Sequence, residues 1–192
     1  MHRPREQLMD NLKGILIILV VYSHFLILYV DSGVASLSVQ AVHYYLYSFH
    51  MPLFVFISGY FSKNTERVRS TAFAKLFIPY LLFNTAMVLF LVITQRRATS
   101  LLTPQYVYWY LLALFAWRFL IRDLARIRFI LPLSFLLGMA SGFVPEIDNF
   151  LAISRTINFL PFFLLGYYAD SGHIARLRSA NRVFPWIGLT LS

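Results

Sequence analysis

"LKGILIILVVYSHFLILYV", residues 12–30, is an apolar run interrupted by one lysine near its start and one histidine near its middle. About 20 such residues are what a helix needs to cross a hydrocarbon core roughly 30 Å thick. Similar runs are predicted to span at 40–61, 74–94, 105–121, 129–145 and 156–170, and a seventh begins at Val183 and meets the chain end at Ser192. With 59% hydrophobic and 13% charged residues among 192, the composition lies far from that of a soluble domain. The expected fold class is all-α: a polytopic transmembrane helical bundle of about six full spans plus a truncated seventh. One domain over residues 1–192, incomplete at its C-terminus, accommodates the whole pattern, with loops at 62–73, 95–104 and 171–182.

Charge placement orients this bundle. The basic preface "MHRPR" (1–5) resembles a secretory signal, but the apolar stretch after it exceeds the roughly 7–15 residues of a signal core, and further spans follow. The first helix is therefore read as uncleaved. With the N-terminus inside, every lysine and arginine except Arg96, Arg97 and Arg155 falls on the inner side, as the positive-inside rule requires. A multi-pass protein of the inner membrane with a cytoplasmic N-terminus is expected. The net charge of +9 sits in short clusters between spans and forms no basic stripe, which argues against a nucleic-acid partner. There are no cysteines, so disulfides, thiolate nucleophiles and Cys-ligated metals are excluded.

The polar groups within the spans carry the chemistry. Lys13 and His24 stand about three helical turns apart and share a face, with His24 roughly 16 Å along the axis and near mid-membrane. Asp10 and Asp31 fall close to the same line, completing a polar track, although both also suit helix ends. In the second span, "YSFHMPLFVFISGYF" (47–61) brings His50 to nearly the depth of His24. An ionisable group at that depth marks a functional site by default. Pro52 deprives the Ser48 carbonyl of its helical donor, a break tolerated where it packs in protein or lines a cavity. Ser58 and Gly59 permit close helix contact. Ser23 adjoins His24 but faces elsewhere and is no nucleophile–base partner. Asn84 can orient an imidazole or a substrate oxygen, or simply bond between helices. Tyr106, Tyr108 and Trp109 read as an interfacial aromatic belt. Arg155 and Asn158 stand at the outer start of the sixth span, where Arg155 either binds an anionic or sugar-like acceptor or reaches to headgroups. A histidine in such a site can take a proton from an attacking hydroxyl, and desolvation favours the neutral imidazole that a base requires.

The runs "MDNLKGILIILVVYSHF" (9–25) and "YSFHMPLFVFISGYF" (47–61), with "YWYLLALFAWRFL" (108–120) and "SRTINFLPFFLLGYYAD" (154–170), resemble membrane-bound acyltransferase family 3, in the branch related to fucose 4-O-acetylases. Lys13 and His24 match its basic-residue and histidine pattern, with Lys where Arg is frequent, and His50 matches its Phe-His-Met-Pro motif. The resemblance implies transfer of an acetyl group, from acetyl-CoA as cosubstrate, to a sugar hydroxyl of a glycan or lipid-linked saccharide. It implies His24 and His50 as catalytic residues, with Lys13 and Asp10 on the donor side. Arg155, Asn158 and Asn84 are the candidates for the carbohydrate acceptor. No metal and no tightly bound cofactor is expected, and the partners are the lipid bilayer, acetyl-CoA and the carbohydrate. Two other classes fit the buried histidines: a proton-coupled transporter using them as a relay, and a haem protein using them as axial ligands.

Overall fold

A computed structural model of the protein describes residues 4–95, 99–143, 150–170 and 172. It is all-helical, with no strand among the described residues. The helices are α1 (Pro4–Asp31), α2 (Leu37–Tyr60), α3 (Thr65–Ala72), α4 (Ile78–Gln95), α5 (Tyr108–Leu124), α6 (Ile130–Ser141) and α7 (Ile153–Tyr168). Each of the six expected full spans overlaps a helix, the expected 129–145 span being met by the shorter α6. The seventh apolar run, from Val183, lies outside the described residues. Among the described residues, two segments are long and apolar enough to cross a membrane on their own merits, Asp10–Asp31 and Thr65–Thr94. On α1 Ile15, Ile18 and Tyr29, away from the cleft, are 55%, 68% and 61% exposed, which is the pattern of a helix whose outer solvent is lipid rather than water.

Local chemistry explains the boundaries. Gly33 follows α1 with φ +73°, the left-handed turn that a glycine supplies without steric cost. Ser36 then caps α2, accepting from the Val39 N–H. Two expectations are corrected here. Asp10 is no helix-end residue, because α1 begins at Pro4 and Asp10 lies inside it. The 62–73 segment, expected as a loop, contains α3: Asn64 accepts from the Arg67 N–H at 3.1 Å, Glu66 sits in the first turn and Arg69 in the last, as the helix dipole favours. Between α3 and α4, residues Phe73–Phe77 form a π-helical turn, in which the Ile78 N–H bonds to the Phe73 carbonyl. Pro79 lacks an N–H and crowds the carbonyl four residues back. Widening the turn just before it accommodates that misfit while the rod continues.

α2 lies at the centre of the bundle. It packs against α7 on one side and α1 on the other, while α6 covers α7. The α2–α7 contact is backbone on backbone. A Cβ built on Gly59 would lie 2.0 Å from the Phe163 carbonyl oxygen, and one built on Gly166 would lie 1.9 Å from that of Phe56. Only glycine permits this approach, and reciprocal small residues are how membrane helices gain packing without a hydrophobic driving force. Around the crossing, Val55, Trp117, Ile121, Phe163 and Leu164 form the core, with Trp117 stacked on Phe163 at 5.3 Å.

Gly59→Ala and Gly166→Ala must each push the two backbones apart, at a cost of about 1–3 kcal/mol or more. Gly14→Ala meets nothing within 4 Å and should be neutral or raise stability by up to about 1 kcal/mol through helix propensity. Denaturation in detergent, compared across the three variants, measures this ordering.

Candidate active site

The site grows from two successive residues of α1. Ser23 is buried and turns toward α2, where its Oγ lies 3.4 Å from His43 Nδ1. His24 turns away from that contact and into a cleft. Its Nδ1 lies 2.7 Å from the Val20 carbonyl oxygen. His50 repeats the arrangement on α2, with Nδ1 2.5 Å from the Leu46 carbonyl oxygen. A carbonyl oxygen only accepts, so each Nδ1 carries the proton and donates it. In the neutral ring the lone pair then resides on Nε2. Both histidines are thereby set in the same tautomer by their own helices, each with a basic nitrogen facing away from its backbone. His50 is fully buried, and its Nε2 has no partner among the described residues.

A third imidazole joins them. His43 is 3% exposed and lies two turns before His50, with Tyr47 between: the His43 and Tyr47 rings are 5.7 Å apart and the Tyr47 and His50 rings 5.5 Å. Both His24 and His43 are within electrostatic range of His50. The sequence reading missed His43, although a spacing of seven residues places it on the face of α2 that carries His50.

The cleft beside His24 has a volume of about 810 Å³ and a mainly apolar lining that includes Phe25, Tyr47, Met51, Tyr108 and Trp109. Its far wall is made by an unexpected path of the chain. α4 continues to Gln95, roughly 16 Å beyond Asn84 along the axis. Yet Asn84 donates through Nδ2 to the Leu101 carbonyl at 3.2 Å, and its Oδ1 accepts from the Gln105 N–H at 2.9 Å. Residues 99–107 therefore double back beside the middle of α4. Tyr106, with φ 47°, and then α5 follow from that depth. The loop is tied in turn to the start of α7, where the Leu151 N–H donates to the Leu102 carbonyl at 2.7 Å.

This path corrects the aromatic-belt expectation for Trp109. Trp109 is 7% exposed and packs on Phe159 at 5.4 Å, so it is a wall of the cleft and part of the core. Tyr110 donates or accepts at 2.6 Å with Ser58 Oγ, which fixes α5 to α2. Asn84, 2% exposed, has both ends of its amide engaged by the loop, and bears on the cleft by holding up that wall. Arg155 lies over the Trp109 indole, 5.7 Å from its centroid, on the side of α7. Asn158 accepts from Ser141 Oγ at 3.1 Å, within the α6–α7 contact. Lys13 is toward the N-terminal end of α1, its ammonium 5.7 Å from the Phe61 ring, and Asp10 is exposed one turn earlier. Among the described residues no group of three or more His, Cys, Asp or Glu is placed to hold a metal ion.

The arrangement is a helical bundle with imidazoles beside an apolar cleft, and comparison with known proteins says what class of protein carries it. The acyltransferase domain family matches residues 7–192, and the chain belongs to that family of membrane acyltransferases. Nodulation protein NolL of Sinorhizobium fredii (strain NBRC 101917 / NGR234) is 43% identical over 61 residues, which are 32% of this chain and 17% of that protein. The matched stretch thus spans less than a fifth of that relative's length. No solved structure matches the chain.

Asn84→Ala leaves the Gln105 N–H and the Leu101 carbonyl without their partners, at about 1–3 kcal/mol for such groups when buried. Hydrogen–deuterium exchange should rise in residues 99–107, at Gln105 above all, and stay unchanged in α7.

Proposed function

We propose that the protein transfers an acetyl group from acetyl-CoA to a sugar hydroxyl of a glycan or lipid-linked saccharide, with His24 as the base. The supporting observation is the Nδ1–H bond of His24 to the Val20 carbonyl, which leaves a basic Nε2 at the side of the cleft. In the reaction the acceptor oxygen attacks the thioester carbonyl while its proton passes to Nε2. The tetrahedral adduct then collapses with cleavage of the C–S bond, and the CoA sulfur leaves with the proton returned by the imidazolium. A positioned base of this kind contributes roughly 10²–10⁴-fold.

The other groups take supporting places in this reading. His50 supports the imidazolium's neighbourhood from behind Tyr47, Lys13 and Asp10 stand on the donor side, and Arg155, at the Trp109 wall, meets the acceptor. Asn84 and Asn158 serve the acceptor indirectly, through the loop and through α7. The protein works in the inner membrane with its N-terminus in the cytoplasm, so that the donor arrives from below and the acceptor from above. Membership of an acyltransferase family favours this chemistry over a proton-coupled carrier or a haem site.

His24→Asn keeps a side chain of similar size and polarity but removes the base. It should lower glycan O-acetylation by about 10²-fold or more with normal membrane insertion, read by mass spectrometry of cell-surface glycans for the acetyl mass increment. Acetylation at the level of the unmodified protein would overturn the assignment.

A further inference from the structure

The inner mouth of the bundle gathers several cations. Arg69, Arg122 and Arg126 are neutralised on the surface: Arg122 pairs with Glu66 at 2.6 Å, Arg69 with Asp123 at 3.2 Å and Arg126 with Asp123 at 3.9 Å. Lys13, Lys63 and Arg118 are held otherwise, and all three reach the turn that ends α2, Tyr60–Lys63. Lys13 comes from α1 and lies over Phe61. The Lys63 ammonium lies 4.5 Å from the Tyr60 ring and donates to the Ala169 carbonyl. Arg118 comes from α5 and donates through Nε to Ser62 Oγ at 3.3 Å.

Arg118 is the unusual member. It is half-buried, where Arg122 one turn further on is exposed. Ser62 is fully buried, and its own hydroxyl donates to the Ser58 carbonyl at 2.7 Å, so its lone pair is aimed at Arg118. Holding a guanidinium by Nε leaves the two Nη groups as a free fork, and no described residue binds them. A cation kept only for topology would extend to the headgroups. This one is drawn inward and fixed, on the same turn that Lys13 and Lys63 reach, and a planar fork next to point charges is the arrangement that binds phosphate oxygens.

We propose that Arg118, with Lys13 and Lys63, forms a phosphate-binding site at the inner mouth that takes a phosphate or diphosphate group. Its assignment to the diphosphate of the acyl donor rests on the acetyl-CoA reading above. Arg118 then anchors the nucleotide end of the donor at the turn, with the thioester arm directed along α1 toward His24.

The test is binding, independent of turnover. The full chain, purified in neutral detergent, is titrated calorimetrically with inorganic pyrophosphate and with CoA, as wild type, Arg118→Gln, Arg118→Lys and His24→Asn. Arg118→Gln should weaken both ligands about tenfold or more, Arg118→Lys should restore part of the loss, and His24→Asn should bind as wild type. A second arm compares vesicles of phosphatidylcholine alone with vesicles containing phosphatidylglycerol. Arg118-dependent enrichment of phosphatidylglycerol without pyrophosphate binding would keep the phosphate site and assign it to a lipid headgroup. Wild-type affinity for pyrophosphate, CoA and phosphatidylglycerol in Arg118→Gln would overturn the site. Arg118-dependent pyrophosphate binding without any transfer from acetyl-CoA would instead leave the site standing and remove the donor reading.

Discussion

The contact of α2 with α7 at Gly59 and Gly166 constrains everything around it. Two backbones meet with no room for a single methyl on either side, so the axial register of the two helices is locked where they cross. α2 carries His43 and His50, and α7 carries Arg155 and the aromatic residues that pack on α5. Locking the pair therefore also places the wall of the cleft against the helix that holds the buried imidazoles. In lipid, where apolar side chains gain nothing by leaving one apolar surface for another, such close van der Waals fit supplies the specificity that hydrophobic burial supplies in water.

The helix that carries His24 is held differently. α1 packs on α2 and makes no comparable contact with any other described helix. Its rotation depends on a few residues: Leu16 against Ile57 nearer its N-terminus, Ser23 against His43 nearer its C-terminus. Each imidazole is then oriented by its own helix through Nδ1. Local backbone bonds set the tautomer, and helix packing sets the position. The division is economical for a membrane enzyme, because no additional buried polar partner has to be supplied for either ring.

Much of this was legible in the residues alone. Apolar runs of spanning length marked the helices, and the turns shared by Lys13 and His24 marked one face. A histidine in each of the first two helices pointed to the region of the cleft. Gly59, read as a close-contact residue, is one half of the central crossing. What was not legible depended on partners distant in sequence. Nothing local shows that Asn84 will bond to Leu101 and Gln105, and without that the return of the chain beside α4 is invisible. Trp109 therefore read as a belt residue when it is a wall of the cleft. Gly166 gave no signal of its own because its requirement comes from Phe56. The charged segment before the third span read as a loop because its composition is polar, whereas capping by Asn64 and the widened turn before Pro79 keep it helical.

The claim on which the site depends is the common tautomer of the two histidines. Nitrogen-15 NMR of the protein labelled at histidine, with His24→Asn and His50→Asn used for assignment, reads the protonation of each ring nitrogen directly. At neutral pH, Nδ1 should carry the proton and Nε2 should be bare in both rings. A proton on Nε2 of His24 in the neutral ring would remove the base from the cleft and contradict the site described here.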